Sequence, residues 1–200
     1  MVRSDGDLRH VGVALALPEP FTSELQGWRE RLGDPGARSI PPHVTLLPPT
    51  PLAPADLIAA EAHLREVSVR HAPWTLRLRG SGSFRPLSQV AFVVLDRGAA
   101  ECGRLAADVR SGPLARPVQF PYHPHVTVAH DLDTPALDAA EQGLSDYEAA
   151  FRVWGFTLYE QGADGVWRPQ RDFPFGTSPV GPAPLPQGAA RVSPRAKGTT

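Results

Sequence analysis

His43 and His125 stand in two copies of one tetrapeptide, Pro42-His43-Val44-Thr45 and Pro124-His125-Val126-Thr127. An imidazole changes charge near neutral pH, so a pair of them can work as a base and an acid. The neutral ring can take a proton from water, and the protonated ring can give one to a departing alkoxide. A threonine hydroxyl two residues on can donate to oxygens that gain charge in the transition state. On a strand, residues i and i+2 share a face. His43 and Thr45 then project together while Val44 and Leu46 face the core. The same alternation places His125 with Thr127 against Val126 and Val128. Two such strands side by side would set two imidazoles and two hydroxyls around one phosphate. Cleavage of a cyclic phosphodiester suits that set, because ring strain lowers the need for a metal.

Two other chemistries compete. His123 and His125 lie at i and i+2, with His130 and Asp131 nearby, which raises a histidine metal site. Zinc sites usually add cysteine or carboxylate ligands or a tighter cluster, and neither H-x-x-x-H nor H-E-x-x-H occurs. The expectation is therefore no metal and no other cofactor. A nucleotide- or RNA-binding module without turnover is the other rival, but binding alone would not require two imidazoles. Cys102 lies in an apolar stretch with no catalytic partner beside it and reads as a small buried residue.

The elements that must carry these residues follow from periodicity. Val11 to Leu17 reads as a buried strand closed by Pro18. Phe21, Leu25, Trp28 and Leu32 fall on one helical face, and Gly33 stops the helix. His43 to Leu47 is a short strand between proline pairs. A helix over Pro54 to Val69 follows, then strands over Trp74 to Arg79 and Val90 to Leu95. A third helix covers Ala99 to Arg110, and His125 to Ala129 is the second motif strand. A fourth helix spans Pro135 to Ala149. Phe151 to Glu160 alternates as one strand, turns at Gly162 to Gly165, and pairs with Val166 to Phe173. Each half thus has a helix leading to a Pro-His-Val-Thr strand and then a second helix. That near-repeat predicts an α+β fold with two similar lobes, the motif strands meeting at a central cleft. His63 and His71 are expected on a solvent-facing helix surface, and Tyr159 and Trp167 as hairpin packing.

The boundaries drawn are an N-terminal extension at 1–10, a domain at 11–176, and a disordered Pro/Gly-rich tail at 177–200. The formal net charge of −1 argues against a protein that coats nucleic acid by phosphate neutralisation. It leaves room for a small nucleotide or an RNA end in a local pocket. No apolar run approaches the roughly 18 residues of a membrane span, and residues 1–10 are polar and charged. A cytoplasmic monomer with no membrane association and no obligate protein partner is expected.

The chain resembles the 2H phosphoesterase superfamily, in its bacterial 2′-5′ RNA ligase-like branch. The resemblance rests on Pro41 to Pro49, the Phe84 loop before the Val90 to Leu95 strand, and Tyr122 to Ala129. The closing hairpin from Phe156 through Trp167 to Phe175 adds to it. It implies a bilobal α+β fold of two pseudo-symmetric lobes, each with a small antiparallel-rich sheet, helices outside and a central groove. It further implies metal-independent hydrolysis of 2′,3′-cyclic phosphodiesters on nucleotides or RNA ends, with a 2′-phosphate product and 2′-5′ RNA ligase-like activity in some relatives. His43 and His125 are then the catalytic pair, His43 as acid and His125 as base, and Thr45 and Thr127 hold the phosphate. Phe84, Arg85, His123 and His130 are candidate substrate contacts. Many relatives carry arginine three positions after the second threonine, where this chain has His130. Arg85 and Arg168 are the candidates to replace that charge.

Overall fold

The computed structural model describes residues 8–117 and 120–176. Residues 1–7 and the tail at 177–200 lie outside the described residues. Among the described residues there are eight strands and four α-helices. Strand β1 (Arg9–Ala16) leads through helix α1 (Phe21–Leu32) to β2 (His43–Leu52). Helix α2 (Leu57–Arg70) leads to β3 (Trp74–Ser83) and β4 (Val90–Arg97). Helix α3 (Ala99–Val109) leads to β5 (His125–His130), and α4 (Thr134–Gly143) to β6 (Glu148–Val153). Strands β7 (Gly155–Gln161) and β8 (Trp167–Pro174) close the chain as a hairpin. The turn is the expected one, with Gly165 at φ +77° and Gly162 N donating to Val166 O.

The strands form one antiparallel sheet in the order β6-β3-β4-β5-β2-β1-β7-β8. It divides into two four-stranded halves, each containing one histidine motif. The halves meet where β2 faces β5, through the single register pair Val44 and Val126. The two small sheets expected for two lobes are therefore halves of one curled sheet. Each motif strand is flanked by the strand that precedes it in its repeat, β1 beside β2 and β4 beside β5.

The helices exchange partners across this seam. Helix α1 leaves β1 but packs on β5 and α4, and α3 leaves β4 but packs on β2. The core beneath them is continuous, with Leu25, Leu46, Leu64, Leu105, Val126 and Leu137 fully buried. Cys102 belongs to this core, and burial pushes its thiol up to about 12, so it stays a neutral packing group. His63 and His71 do not face open solvent. Both are partly buried and tie α2 to α3, His71 Nε2 to Asp108 Oδ2 at 2.8 Å and His63 Nε2 to Asp108 O at 3.1 Å.

Two strands depart from the sequence reading. Strand β2 runs on through Pro48, Pro49 and Pro51 to Leu52. Pro48 and Pro49 fall where the register slips, Val13 facing Leu47 and Val11 facing Thr50, so they interrupt no regular ladder. Phe151 to Glu160 is not one strand. It breaks at Trp154, after which the chain passes from β6, paired with β3, to β7, paired with β1. The core face slips by one residue at the break, from Ala149 and Val153 on β6 to Phe156 and Leu158 on β7, although the residue types alternate through it. Helix α4 also ends early, and Glu148 to Ala150 joins β6 instead.

Candidate active site

Alternation along the two motif strands is as the sequence implied. Val44, Leu46, Val126 and Val128 are fully buried. His43, Thr45, His125 and Thr127 are half-buried on the opposite face. The strands run antiparallel about the Val44 and Val126 pair. That register sets His43 across from Thr127 and Thr45 across from His125. Each imidazole therefore has a hydroxyl from its own motif and one from the other motif beside it.

Both rings are oriented by the same device. His43 Nδ1 donates to Pro41 O at 2.8 Å, and His125 Nδ1 donates to His123 O at 2.7 Å. A carbonyl oxygen only accepts, so each Nδ1 carries a proton and each Nε2 is left with the lone pair of the neutral ring. His43 Nε2 lies 3.1 Å from Thr45 Oγ1. Each of these carbonyls lies two residues before its histidine and one before a proline.

The surroundings of the two rings differ. Burial drives the His43 pKa down to about 4; the Arg29 charge and the nearby His125 add to this, against the opposing pull of the Pro41 carbonyl. His125 is also pushed below its ordinary value, by burial first. Its wall is aromatic. Phe84 meets it edge-on at 4.8 Å between centroids and 89° between planes, and Phe92 lies at 5.2 Å. Phe84 packs on Phe92 at 4.4 Å. A methyl at Gly82 would lie 3.0 Å from the Phe92 ring, so glycine there leaves the ring its place. His123 stands beside His125 at 6.1 Å and meets both phenylalanines.

A cavity of about 480 Å³ opens beside the first motif. Its lining includes His43, Thr45, Thr127, His130, Tyr159 and Trp167, together with Arg29. Tyr159 and Trp167, expected as hairpin packing, thus also form its wall. Arg29 is 4% exposed. Its Nε donates to Asp34 Oδ2 at 2.8 Å and its Nη1 to Ile40 O at 2.5 Å. Asp34 Oδ1 in turn accepts from Gly36 N at 2.9 Å. This pair pins residues 34–40, which deliver the Pro41 carbonyl to His43. Periodicity could have flagged Arg29, because it lies one helical turn after the buried Leu25. An arginine on that face, followed within two turns by aspartate, is a buried pair in the making.

The remaining candidates are sorted by their partners. His130 ends β5 on the cavity rim, with Nε2 3.6 Å from Asp131 Oδ2 and both side chains exposed. Arg85 does not reach the cavity; it is held by Asp138 and Glu141 on α4 and by Ser83 Oγ. Arg168 is bound to Asp164 at 2.7 Å across the hairpin turn. Neither replaces the charge absent at position 130, and Arg29 is the permanently charged cation in the cavity lining. Tyr122 braces the first motif from the second, its hydroxyl donating to Thr45 O at 2.9 Å. Among the described residues no three His, Cys, Asp or Glu side chains gather as a metal-ligand set. Nor is any helix among them long and apolar enough to cross a membrane.

The chain is similar to known proteins in sequence and in fold. Residues 17–165 match the family model described as the 2'-5' RNA ligase superfamily. A Bacillus pumilus protein named "Putative phosphoesterase" is 31% identical over 82% of this chain and 96% of its own length. A similarly named Bacillus licheniformis protein is 31% identical over 82% of this chain and 98% of its own. Among solved structures, E. coli LigT complexed with NADP+ superposes with a TM-score of 0.65 at 23% identity, covering 84% of this chain and 99% of that one. The Thermus thermophilus protein TT0787 superposes with a TM-score of 0.54 at 22% identity, covering 84% and 98%.

Proposed function

Since the chain belongs to the 2′-5′ RNA ligase superfamily, a family of phosphoesterases, we propose that it hydrolyses 2′,3′-cyclic phosphodiesters on nucleotides or RNA ends without a metal. The observation that carries this reading is the crossed pair of motifs. Two imidazoles with the same fixed tautomer face two hydroxyls across one strand seam.

In the proposed reaction a water oxygen attacks phosphorus and loses its proton to a neutral Nε2. The bond from phosphorus to O3′ breaks, and the other histidine, protonated, gives its Nε2 proton to that oxygen. The products are a 2′-phosphate and a free 3′-hydroxyl. Thr45 and Thr127 donate to the two nonbridging oxygens as their charge grows.

The unequal surroundings favour His43 as the base. Burial first, and the Arg29 charge after it, oppose a proton on that ring, so it offers a lone pair where a second positive charge is costly. His125 is then the acid. The family resemblance implied the opposite order. A nucleotide-bearing substrate also fits the crystals of E. coli LigT with 3'-AMP and with ATP.

The test is turnover of 2′,3′-cyclic nucleotides with EDTA present, with product analysis. The expected result is a 2′-phosphate, with activity unchanged by chelator and lost in His43→Ala and His125→Ala. Activity lost to EDTA and restored by a divalent metal would overturn the reading. The order of roles is read from a phosphodiester with a nitrophenol leaving group, whose departure needs no proton. His125→Ala should retain activity on it and His43→Ala should not.

A further inference from the structure

A second recess of about 440 Å³ lies beyond His43, where β6 passes into β7. Its place follows from strand register. Thr45 faces Ala14, Ala14 faces Thr157, and Thr157 faces Asp172. Residues directly opposite on paired strands project to the same side, so Thr157 and Asp172 share the face of Thr45 and His43. Ala14 lines the first cavity, while Thr157, Asp172 and Ala16 line the second. Ala16 is the register partner of His43. Ala14 and Ala16, two residues apart on β1, thus bring one cavity to within a strand step of the other.

The far wall comes from the other half-sheet. Arg152 lies opposite Thr75 on β3, on the side away from the buried Trp74, Leu76 and Val153. Its guanidinium stands 5.3 Å over the Trp154 ring. Trp154 is 37% exposed, an uncommon state for a large aromatic. Arg77, Arg79, Arg85 and Arg168 are each bound to a carboxylate. Arg152 has no carboxylate partner among the described residues and donates only to Pro73 O, at 3.1 Å. Across from it, Thr157 Oγ1 donates to Asp172 Oδ1 at 2.6 Å, which fixes that carboxylate as an acceptor.

We propose that this recess seats the nucleoside joined through one further phosphodiester to the reacting end, so that the enzyme prefers a dinucleotide or longer strand to a lone cyclic nucleotide. The inference rests on the cyclic phosphodiesterase reading above. Trp154 supplies a stacking surface, which accepts any base because every base has a π face. Arg152 meets the charge of the connecting phosphate. Asp172 accepts from a ribose hydroxyl or an exocyclic amine. The volume falls in the usual range for small-molecule sites, roughly 300 to 1,000 Å³.

The experiment compares kcat/KM for 2′,3′-cyclic AMP and for ApA ending in a 2′,3′-cyclic phosphate. The wild type should favour the dinucleotide by about tenfold or more, the lower range of one stacked base, through KM. In Trp154→Ala and in Arg152→Gln the ratio should fall toward one. Equal kcat/KM for the two substrates in the wild type would overturn the proposal, as would a ratio unchanged in both variants. If the wild type turns over neither substrate, the cyclic phosphodiesterase reading fails instead. The recess is then judged by calorimetric binding of 3′-AMP and of ApA carrying a 3′-phosphate. Tighter binding of the dinucleotide, lost in Trp154→Ala, supports it, and equal affinities refute it.

Discussion

The pH dependence of kcat/KM should place the optimum on the acid side of neutrality. This parameter reports the ionisations of the free enzyme. His43 must be neutral to act as base, and its pKa is about 4. His125 must be protonated to act as acid, and burial holds it below the ordinary value near 6.5. The active form is thus populated most between about 4 and 6.5. At pH 7.5 at most about a tenth of His125 carries its proton, and each further pH unit removes another factor of about ten. Below pH 4 the rate falls because His43 gains a proton. The assay is initial rate on a 2′,3′-cyclic nucleotide at concentrations far below KM, from pH 3.5 to 9 at constant ionic strength. A plateau reaching past pH 8 would refute the argument, because it would require an acid that holds its proton well above an imidazole in this aromatic pocket. An acid limb near 6.5 would refute the part assigned to burial and Arg29.

Arg29→Gln should destabilise the fold by about 3 to 5 kcal/mol, because Asp34 is left buried and unpaired; in what remains folded, the acid limb should move to higher pH. Chemical denaturation and the pH profile read the two effects. The buried neutral His43 also links stability to acid. Its folded pKa lies below the unfolded one, so its contribution is complete above about 6.5 and is lost as pH falls toward 4. The shift corresponds to at most about 3 kcal/mol, since the ring keeps part of its surface in the groove; His43→Asn should flatten that slope in urea melts. Thr45→Val and Thr127→Val should each lower kcat by about a hundredfold or more, the usual cost of one transition-state donor. An equal rise in KM with kcat intact would mean ground-state binding only. Phe84→Ala should admit water to His125 and move the alkaline limb upward, measured in the same pH series.

The repeated tetrapeptide made the site legible because a strand converts a two-residue spacing into a shared face. His43 with Thr45 and His125 with Thr127 needed nothing beyond that rule, and the buried valines between them confirm the face. What the spacing leaves open is how the strands cross. The antiparallel register that sets each histidine against the other motif's threonine is a tertiary fact. The break at Trp154 was hidden for a related reason. The spacing Phe151, Val153, Gly155, Thr157 and Tyr159 reads as one face. The core face nevertheless shifts from Ala149 and Val153 on β6 to Phe156 and Leu158 on β7, a change of half-sheet that only the fold reveals. Arg85 illustrates the converse. Its type and loop position suit a phosphate, but Asp138 and Glu141, more than 50 residues later, occupy it. Arg29 was missed because a charged residue inside an amphipathic helix normally marks the wet face.

The duplicated motif produces two equivalent histidines, yet acid–base catalysis needs two inequivalent ones. The backbone does not break the symmetry, because both rings donate from Nδ1 to a carbonyl two residues earlier. The asymmetry enters through what the exchanged helices and loops bring to each ring. Helix α1 carries Arg29 and its Asp34 partner to His43, a fixed charge that opposes protonation. The β3 to β4 loop carries Phe84 to His125, where the wall is ring edge and no fixed cation contributes to the shift. An anionic phosphate entering the groove attracts a proton to either ring, and Arg29 resists that pull at His43 alone. On the proposed mechanism the proton is then held by His125, with burial first and the Arg29 charge second in keeping it off His43. Moving that charge should move the roles. An arginine lost from α1 makes the two sites more alike, and the separation between the limbs of the pH profile should narrow with it.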